Sequence, residues 1–415
     1  MVMELTKRYT AIFLISFALV VGIFFIFFQK NVVKILFESK FQPKSEKPIV
    51  KQGQNIEINS ETQEPLFQPP EAIKAIYMTS WSASKESYLD YAINIAKNTE
   101  INAVVIDIKD YSGYVAYNTK VPEVGKYNAK SIRIKEIDAL IKRFHDEGIY
   151  LIARISVFQD PVLARARPDL AIHSKAKMSS FPFFPLSLTS LWLDNLRLAW
   201  IDPASKEAWD YNIAISKEVV MLGFDEINFD YVRFPSDGDL SDMSFPFWDG
   251  EIKKHLVIAE FFKYLRQKLP DAKLSVDLFG LSTVSSNDLG VGQIIEDAFE
   301  YFDYVCPMLY PSHYAEGFLG CPNPASYPYE VIKYSMENAI KRLSVWRQSQ
   351  NARLRDVQLR PWLQDFNLGA IYDAKAVRLE IEAVYDAAGD DFRGFMLWSP
   401  SNIYTEEALQ PADSK

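Results

Sequence analysis

Residues 223–235 read GFDEINFDYVRFP, and the fold turns on how this stretch is read. Gly223 follows a long amphipathic segment and is a natural left-handed helix C-cap. The next residues alternate. In a strand Glu226, Asn228 and Asp230 point to one side, Ile227 and Phe229 to the other. A surface strand would put its apolar pair inward and its acids in water. Here a helical segment lies before the strand and another after it, so Ile227 and Phe229 pack on helices. The polar row then faces the interior of a sheet covered by helices. Carboxylates in such a place are costly unless paired, and Arg154 and Arg233 are the expected partners.

The same alternation of short apolar runs with longer amphipathic segments extends in both directions. Strands are expected at 75–79, 103–108, 150–155, 226–230, 274–279, 304–309, 357–362 and 394–398. Helices are expected at 88–97, 132–146, 203–222, 251–269, 329–346 and 374–388, with Asp202 as the N-cap before Pro203. Eight strands with helical crossovers imply parallel pairing. An open doubly wound sheet would want a glycine-rich phosphate loop after an early strand, and none is present. The prediction is a closed (β/α)8 TIM barrel over 71–408, with long loops at 156–201 and 234–250 on the C-terminal face.

Ahead of the barrel lie two other segments. Residues 11–28 read AIFLISFALVVGIFFIFF, 18 residues without a charge. At about 1.5 Å per residue the run just spans a hydrocarbon core. No small-residue cleavage site follows it, so 1–30 is expected to be an uncleaved transmembrane signal anchor. Residues 31–70 carry five prolines and scattered polar residues and are expected to form a flexible linker. The chain is thus placed in the cell membrane as a single-pass protein, its barrel on the extracytoplasmic side.

Hydrophobic residues make up 48% of the 415 and charged residues 24%, which excludes disorder for most of the chain. The net charge of −9 lacks the basic footprint of a nucleic-acid partner. Two cysteines, Cys306 and Cys321, make no disulfide framework. No HExxH, Walker loop, GxSxG elbow or clustered His/Cys set occurs, so neither metal nor cofactor is expected. No motif specifies an oligomeric state.

Catalytic groups of such barrels sit at strand C-termini. Asp230 tops strand four, and Asp277 tops strand five at similar height. Two carboxylates on adjacent strand tops are what glycosidic cleavage needs: one attacks the anomeric carbon or activates water, the other protonates the leaving oxygen. The same pair could equally tie loops to arginines. Asp107 leaves strand two; Tyr310 and His313 follow strand six. Trp362 and Asp365 leave strand seven, and Trp398 leaves strand eight. Rings beside Asp, His and Arg suit a sugar, so Asp107, Arg154, Glu226, Arg233, Tyr310, His313, Trp362, Asp365 and Trp398 are the expected substrate-binding residues.

These residues lie in stretches that resemble a bacterial family known as the "putative glycosyl hydrolase domain", related to α-amylase- and α-galactosidase-like barrels. The stretches are KAIYMTSWSAS (74–84), VVIDIKDYSGYVAY (104–117), LIARISVFQDP (151–161), WIDPASKEAWDYNIAISKEVVMLGFDEINFDYVRFPSDG (200–238), SVDLFG (275–280), YVCPMLYPSHY (304–314), RPWLQDF (360–366) and GFMLWSPSNIY (394–404). The resemblance implies Asp230 as nucleophile, held ionised by Arg233, and Asp277 as acid, with Asp365 or Glu226 able to take that role. It implies a glycoside hydrolase acting on an envelope or extracellular polysaccharide or oligosaccharide. The alternative is a catalytically inactive barrel that binds glycan or peptidoglycan at the cell surface.

Overall fold

The computed structural model describes residues 64–66, 68–180, 186–349 and 356–412. The expected anchor and nearly all of the linker lie outside the described residues. Among the described residues no helix is long and apolar enough to cross a membrane.

Eight parallel strands close on themselves. They are β1 (Ile73–Met78), β2 (Ala103–Lys109), β3 (Tyr150–Ser156), β4 (Glu226–Asp230), β5 (Leu274–Phe279), β6 (Tyr304–Leu309), β7 (Trp362–Gln364) and β8 (Gly394–Trp398). Each pairs with its sequence neighbours, and β1 pairs with both β2 and β8. Crossing from each strand to the next are the helices α1 (Glu86–Asn98), α2 (Ile137–Asp146), α3 (Lys206–Met221), α4 (Lys254–Lys268), α5 (Ile295–Phe299), α6 (Pro328–Ser349) and α7 (Ala374–Ala388), and shorter helices at Pro122–Lys126, Pro161–Ala166 and Lys175–Ser180 lie in the loops after β2 and β3. The expected (β/α)8 barrel is therefore present, with only a 3-10 turn, Glu406–Ala408, after β8. At the seam Gly394 has φ 107°, and a Cβ there would sit 1.8 Å from the Ile73 carbonyl oxygen. Only glycine lets β8 approach β1 this closely.

Alternation along the strands builds two apolar shells. Ala75, Tyr77, Ala103, Val105, Tyr150, Ile152, Cys306, Trp362 and Met396 fill the barrel interior. Ile76, Val104, Ile106, Leu151, Ile227 and Phe229 face the helices. The period of two that sends Ala103 and Val105 inward also sends Asp107 inward, and Arg154 follows Ile152 in the same way.

Three local expectations are corrected. The 203–222 helix begins at Lys206, capped by Ser205 rather than Asp202. Asp202 instead accepts from the Ala204, Phe247 and Trp248 backbone N–H groups, tying the loop after β4 to the one after β3. A second tie is the antiparallel pair His173–Ser174 and Met243–Ser244. The 132–146 helix begins only at Ile137, because 130–134 is a strand on the barrel's rim. The seventh strand is split: Gln358–Leu359 pairs with β6, then Arg360–Pro361 interrupts, then β7 resumes. Pro361 has no N–H to give the ladder.

The register with β6 is the same on both sides of the interruption, so Arg360 shares the inward face of Trp362 and meets Glu226 in the barrel. The two side chains are fully buried and joined by two hydrogen bonds, one of 3.1 Å from Nη1 to Oε2. Tyr304 lies under the guanidinium at 4.1 Å. Arg360→Met leaves Glu226 buried without a counterion and should cost about 3–5 kcal/mol, read as a lower midpoint in urea. Adding Glu226→Leu should restore most of it, since a matched apolar pair carries no desolvation penalty.

Candidate active site

Arg154, from the inward face of β3, organises the upper end of the barrel. Its Nη1 donates to Asp107 Oδ1 at 2.6 Å, its Nη2 donates to Asp230 Oδ2, and its Nε lies 3.7 Å from Asp277 Oδ2. Carboxyl groups from β2, β4 and β5 thus converge on one guanidinium. Parallel register puts them within its reach: Arg154 sits opposite Asp107 on β2 and opposite Asn228 on β4.

The three carboxyls differ in their other partners. Asp107 Oδ2 accepts from the Tyr77 hydroxyl at 2.5 Å, and burial pushes its pKa up. Asp230 Oδ1 accepts from the Tyr231 backbone N–H at 2.5 Å. That tight turn requires Tyr231 to adopt φ 54°, a left-handed conformation that non-glycine residues take at a cost and that clusters at functional sites. Asp277 is 1% exposed; its Oδ1 accepts from Asn228 Nδ2 at 2.8 Å and Trp362 Nε1 at 2.7 Å. Burial first, and then the charge of Asp230, raise its pKa to about 8. One cation cannot neutralise three carboxylates in a low-dielectric site, so the deepest keeps its proton. With Oδ1 taken by two donors, that proton belongs on Oδ2.

Above this cluster opens a cavity of about 370 Å³, lined by Asp230, Tyr231, Arg233, Phe279, Gly280, Leu281, Met308, Tyr310, His313 and Tyr314. Among the described residues Asp230 is the one carboxylate in this wall; Asp277 lies beneath it and is not part of the wall. Rings bank one side. Tyr310 packs against His313 at 5.4 Å and Trp398 at 5.8 Å, and Phe366 stands edge-on to Trp398 at 4.9 Å. Burial lowers the His313 pKa. A cavity of about 530 Å³ elsewhere is lined by Lys74, Asn102, Gly148 and Ile149, at the N-terminal ends of strands, the stability end of such barrels.

Of the expected residues, the structure brings Asp107, Arg154, Asp230 and Asp277 into one cluster and sets Arg233, Tyr310 and His313 in the cavity wall, with Trp398 packed behind. Four placements differ from expectation. Glu226 shares the inward face with Asp230 but lies at the opposite end of the strand, spent on Arg360, so it reaches neither substrate nor the acid's place. Trp362 is 2% exposed and serves Asp277 as a hydrogen-bond donor instead of offering a ring to a sugar. Asp365 accepts from the Thr405 backbone N–H at 2.9 Å and its hydroxyl at 2.7 Å, a loop tie. Arg233 makes no ion pair with Asp230; Arg154 does. Tyr77 and Asn228 join the site without a sequence signal that marks them as functional, although Asn228 shares the alternating row of β4 with Asp230. Phe279, Leu281 and Met308 carry no chemical signal that would set them apart from core.

Among the described residues no group of three or more His, Cys, Asp or Glu could hold a metal. Both cysteines are free and buried.

A family model described as "Putative glycosyl hydrolase domain" matches residues 75–404. A hypothetical protein from Ruminiclostridium thermocellum ATCC 27405 is 38% identical in sequence, over 52% of this chain and 98% of its own, with a TM-score of 0.43. The glycoside hydrolase domain of PgaB (BpsB) from Bordetella bronchiseptica is 12% identical, over 82% of this chain and 99% of its own, with a TM-score of 0.55. It shares the fold. An α-galactosidase from Thermus thermophilus is 12% identical over 83% of this chain and 61% of its own, with a TM-score of 0.46. A search of curated proteins finds no match.

Proposed function

The chain belongs to the putative glycosyl hydrolase domain family, and from that premise we propose that it is a glycoside hydrolase that cleaves O-glycosyl bonds of an envelope or extracellular polysaccharide. One observation carries the reading: Asp230, ion-paired to Arg154, is the sole carboxylate among the described residues in the wall of a ring-banked cavity at the barrel's C-terminal mouth. In the proposed reaction Asp230 attacks the anomeric carbon or activates water. Asp277, neutral beneath it and outside the cavity wall, supplies the proton for the leaving oxygen through one intervening water. Arg154 and Asp107 are positioning residues that hold Asp230 in place.

The uncharged run 11–28 supports a membrane tether. The test is release of reducing ends from a panel of envelope and extracellular polysaccharides by the full chain in detergent. Products from at least one polymer are expected. Retention of a polymer without any product would instead assign a glycan-binding barrel.

A further inference from the structure

Among the described residues three arginines are buried: Arg233, Arg266 and Arg360. Arg360 is paired with Glu226 and Arg266 with Asp303. Arg233 is 8% exposed and has no carboxylate of the described residues within ion-pairing distance. Its one hydrogen bond runs from Nη1 to its neighbour's Phe234 carbonyl at 3.2 Å. The guanidinium is held between rings, 4.7 Å from Phe279, 4.9 Å from Trp200 and 5.4 Å from Tyr231.

The carboxylates whose charge reaches it are already committed. Asp230 serves Arg154 and the Tyr231 backbone N–H. Asp194 accepts from Gln159, Leu198 and Trp200. Asp237 accepts from the Asn195 backbone N–H. A buried charge is normally paired, because desolvation is expensive. The three rings offset part of that cost by cation–π attraction. They also hold the guanidinium in place, and Arg233 and Asp230 line the same cavity.

We propose that Arg233 is an anion subsite beside Asp230, and that the glycan taken by this cavity is acidic, carrying a carboxylate or phosphate on the sugar that Arg233 meets. The proposal rests on the hydrolase reading for the identity of the ligand as a glycan. A fixed guanidinium presents two parallel donors to such a group. The charge of the whole chain, −9, repels acidic polymers. A single desolvated arginine at the cavity therefore provides selection where the rest of the surface provides none.

The test uses the full chain in detergent carrying Asp230→Asn, so that bound glycan is not consumed. Trp200 fluorescence and calorimetry follow binding of oligogalacturonate, oligoglucuronate, their methyl esters, a phosphate-bearing oligosaccharide and inorganic phosphate. At least one acidic oligosaccharide should bind about tenfold to a hundredfold more tightly than its uncharged counterpart, the factor set by a charge-assisted hydrogen bond. The preference should weaken with salt. Arg233→Met should erase it, and Arg233→Lys should keep part of it. Carboxylate and phosphate arms then tell which acid is preferred.

Equal binding of acid and ester, failure of every acidic probe to bind at millimolar concentration, or an intact preference in Arg233→Met would each overturn the proposal. Should Arg233→Met not fold, the acid–ester comparison on the intact arginine decides alone. Hydrolysis of a neutral polymer by the Asp230-intact chain, unchanged in Arg233→Met, would overturn this subsite and leave the hydrolase. Acid-selective binding without any hydrolysis by that chain would do the reverse.

Discussion

Asp230→Asn should bring turnover down by roughly 10⁴-fold or more, the scale seen when a nucleophilic residue is removed from a covalent mechanism. Folding should survive. The asparagine Oδ1 still accepts from the Tyr231 N–H, and Arg154 retains Asp107 as a counterion. Glycan binding should be retained as well, because the ring bank and Arg233 are untouched. Unchanged release of reducing ends by this variant would remove Asp230 from the mechanism. A second consequence follows at Asp277. The charge of Asp230 is one cause of its raised pKa, so that pKa should fall in the variant, and ¹³C shifts of the aspartate carboxyls would read it.

The other large effect is expected at Asp277. Loss of a positioned general acid costs about 10²–10⁴-fold in kcat, and Asp277→Asn should fall in that range for substrates with poor leaving groups. In the unmodified chain kcat should decline as pH rises past about 8, where Asp277 gives up its proton. A kcat that stays flat through this region would assign the proton to another group.

Stability should move the opposite way. The folded-state pKa of Asp277 lies above its unfolded value, so the folded chain holds this proton more tightly. The penalty is absent at pH below the unfolded pKa, grows as pH rises toward the folded one, and is complete above it. Asparagine cannot ionise and escapes the penalty while still accepting from Asn228 and Trp362. Asp277→Asn should therefore raise Tm at pH 8 by several degrees, an effect of at least about 1 kcal/mol, and by less at pH 5. Equal shifts at both pH values would show that Asp277 is ionised throughout.

Alternation along 226–230 suffices to place Asp230 inward, and the same logic places Asp277. It does not place Glu226. Four residues at about 3.3 Å each put Glu226 about 13 Å below Asp230 on the same face, one in the barrel floor, the other at the mouth. A period of two reports the side of a sheet and says nothing about height relative to solvent. Nor does it select between Arg154 and Arg233. The nearer arginine in sequence sits among aromatic rings, and the one 76 positions away holds the carboxylate.

What the sequence determined by itself was the periodic part. Eight apolar runs separated by helices, Gly223 ending α3, and an inward row of acids follow from local sterics and side-chain direction. The tertiary structure alone decided which groups meet. Closure of β8 onto β1 sets the stagger of all eight strands, and that stagger brings Asp107, Asp230 and Asp277 to one guanidinium. Barrel closure also brings Arg360 from beside β7 to Glu226 on β4. Trp362 spends its indole N–H on Asp277 because the barrel curves it inward. Such contacts join residues tens to more than a hundred positions apart, where no local spacing carries the information.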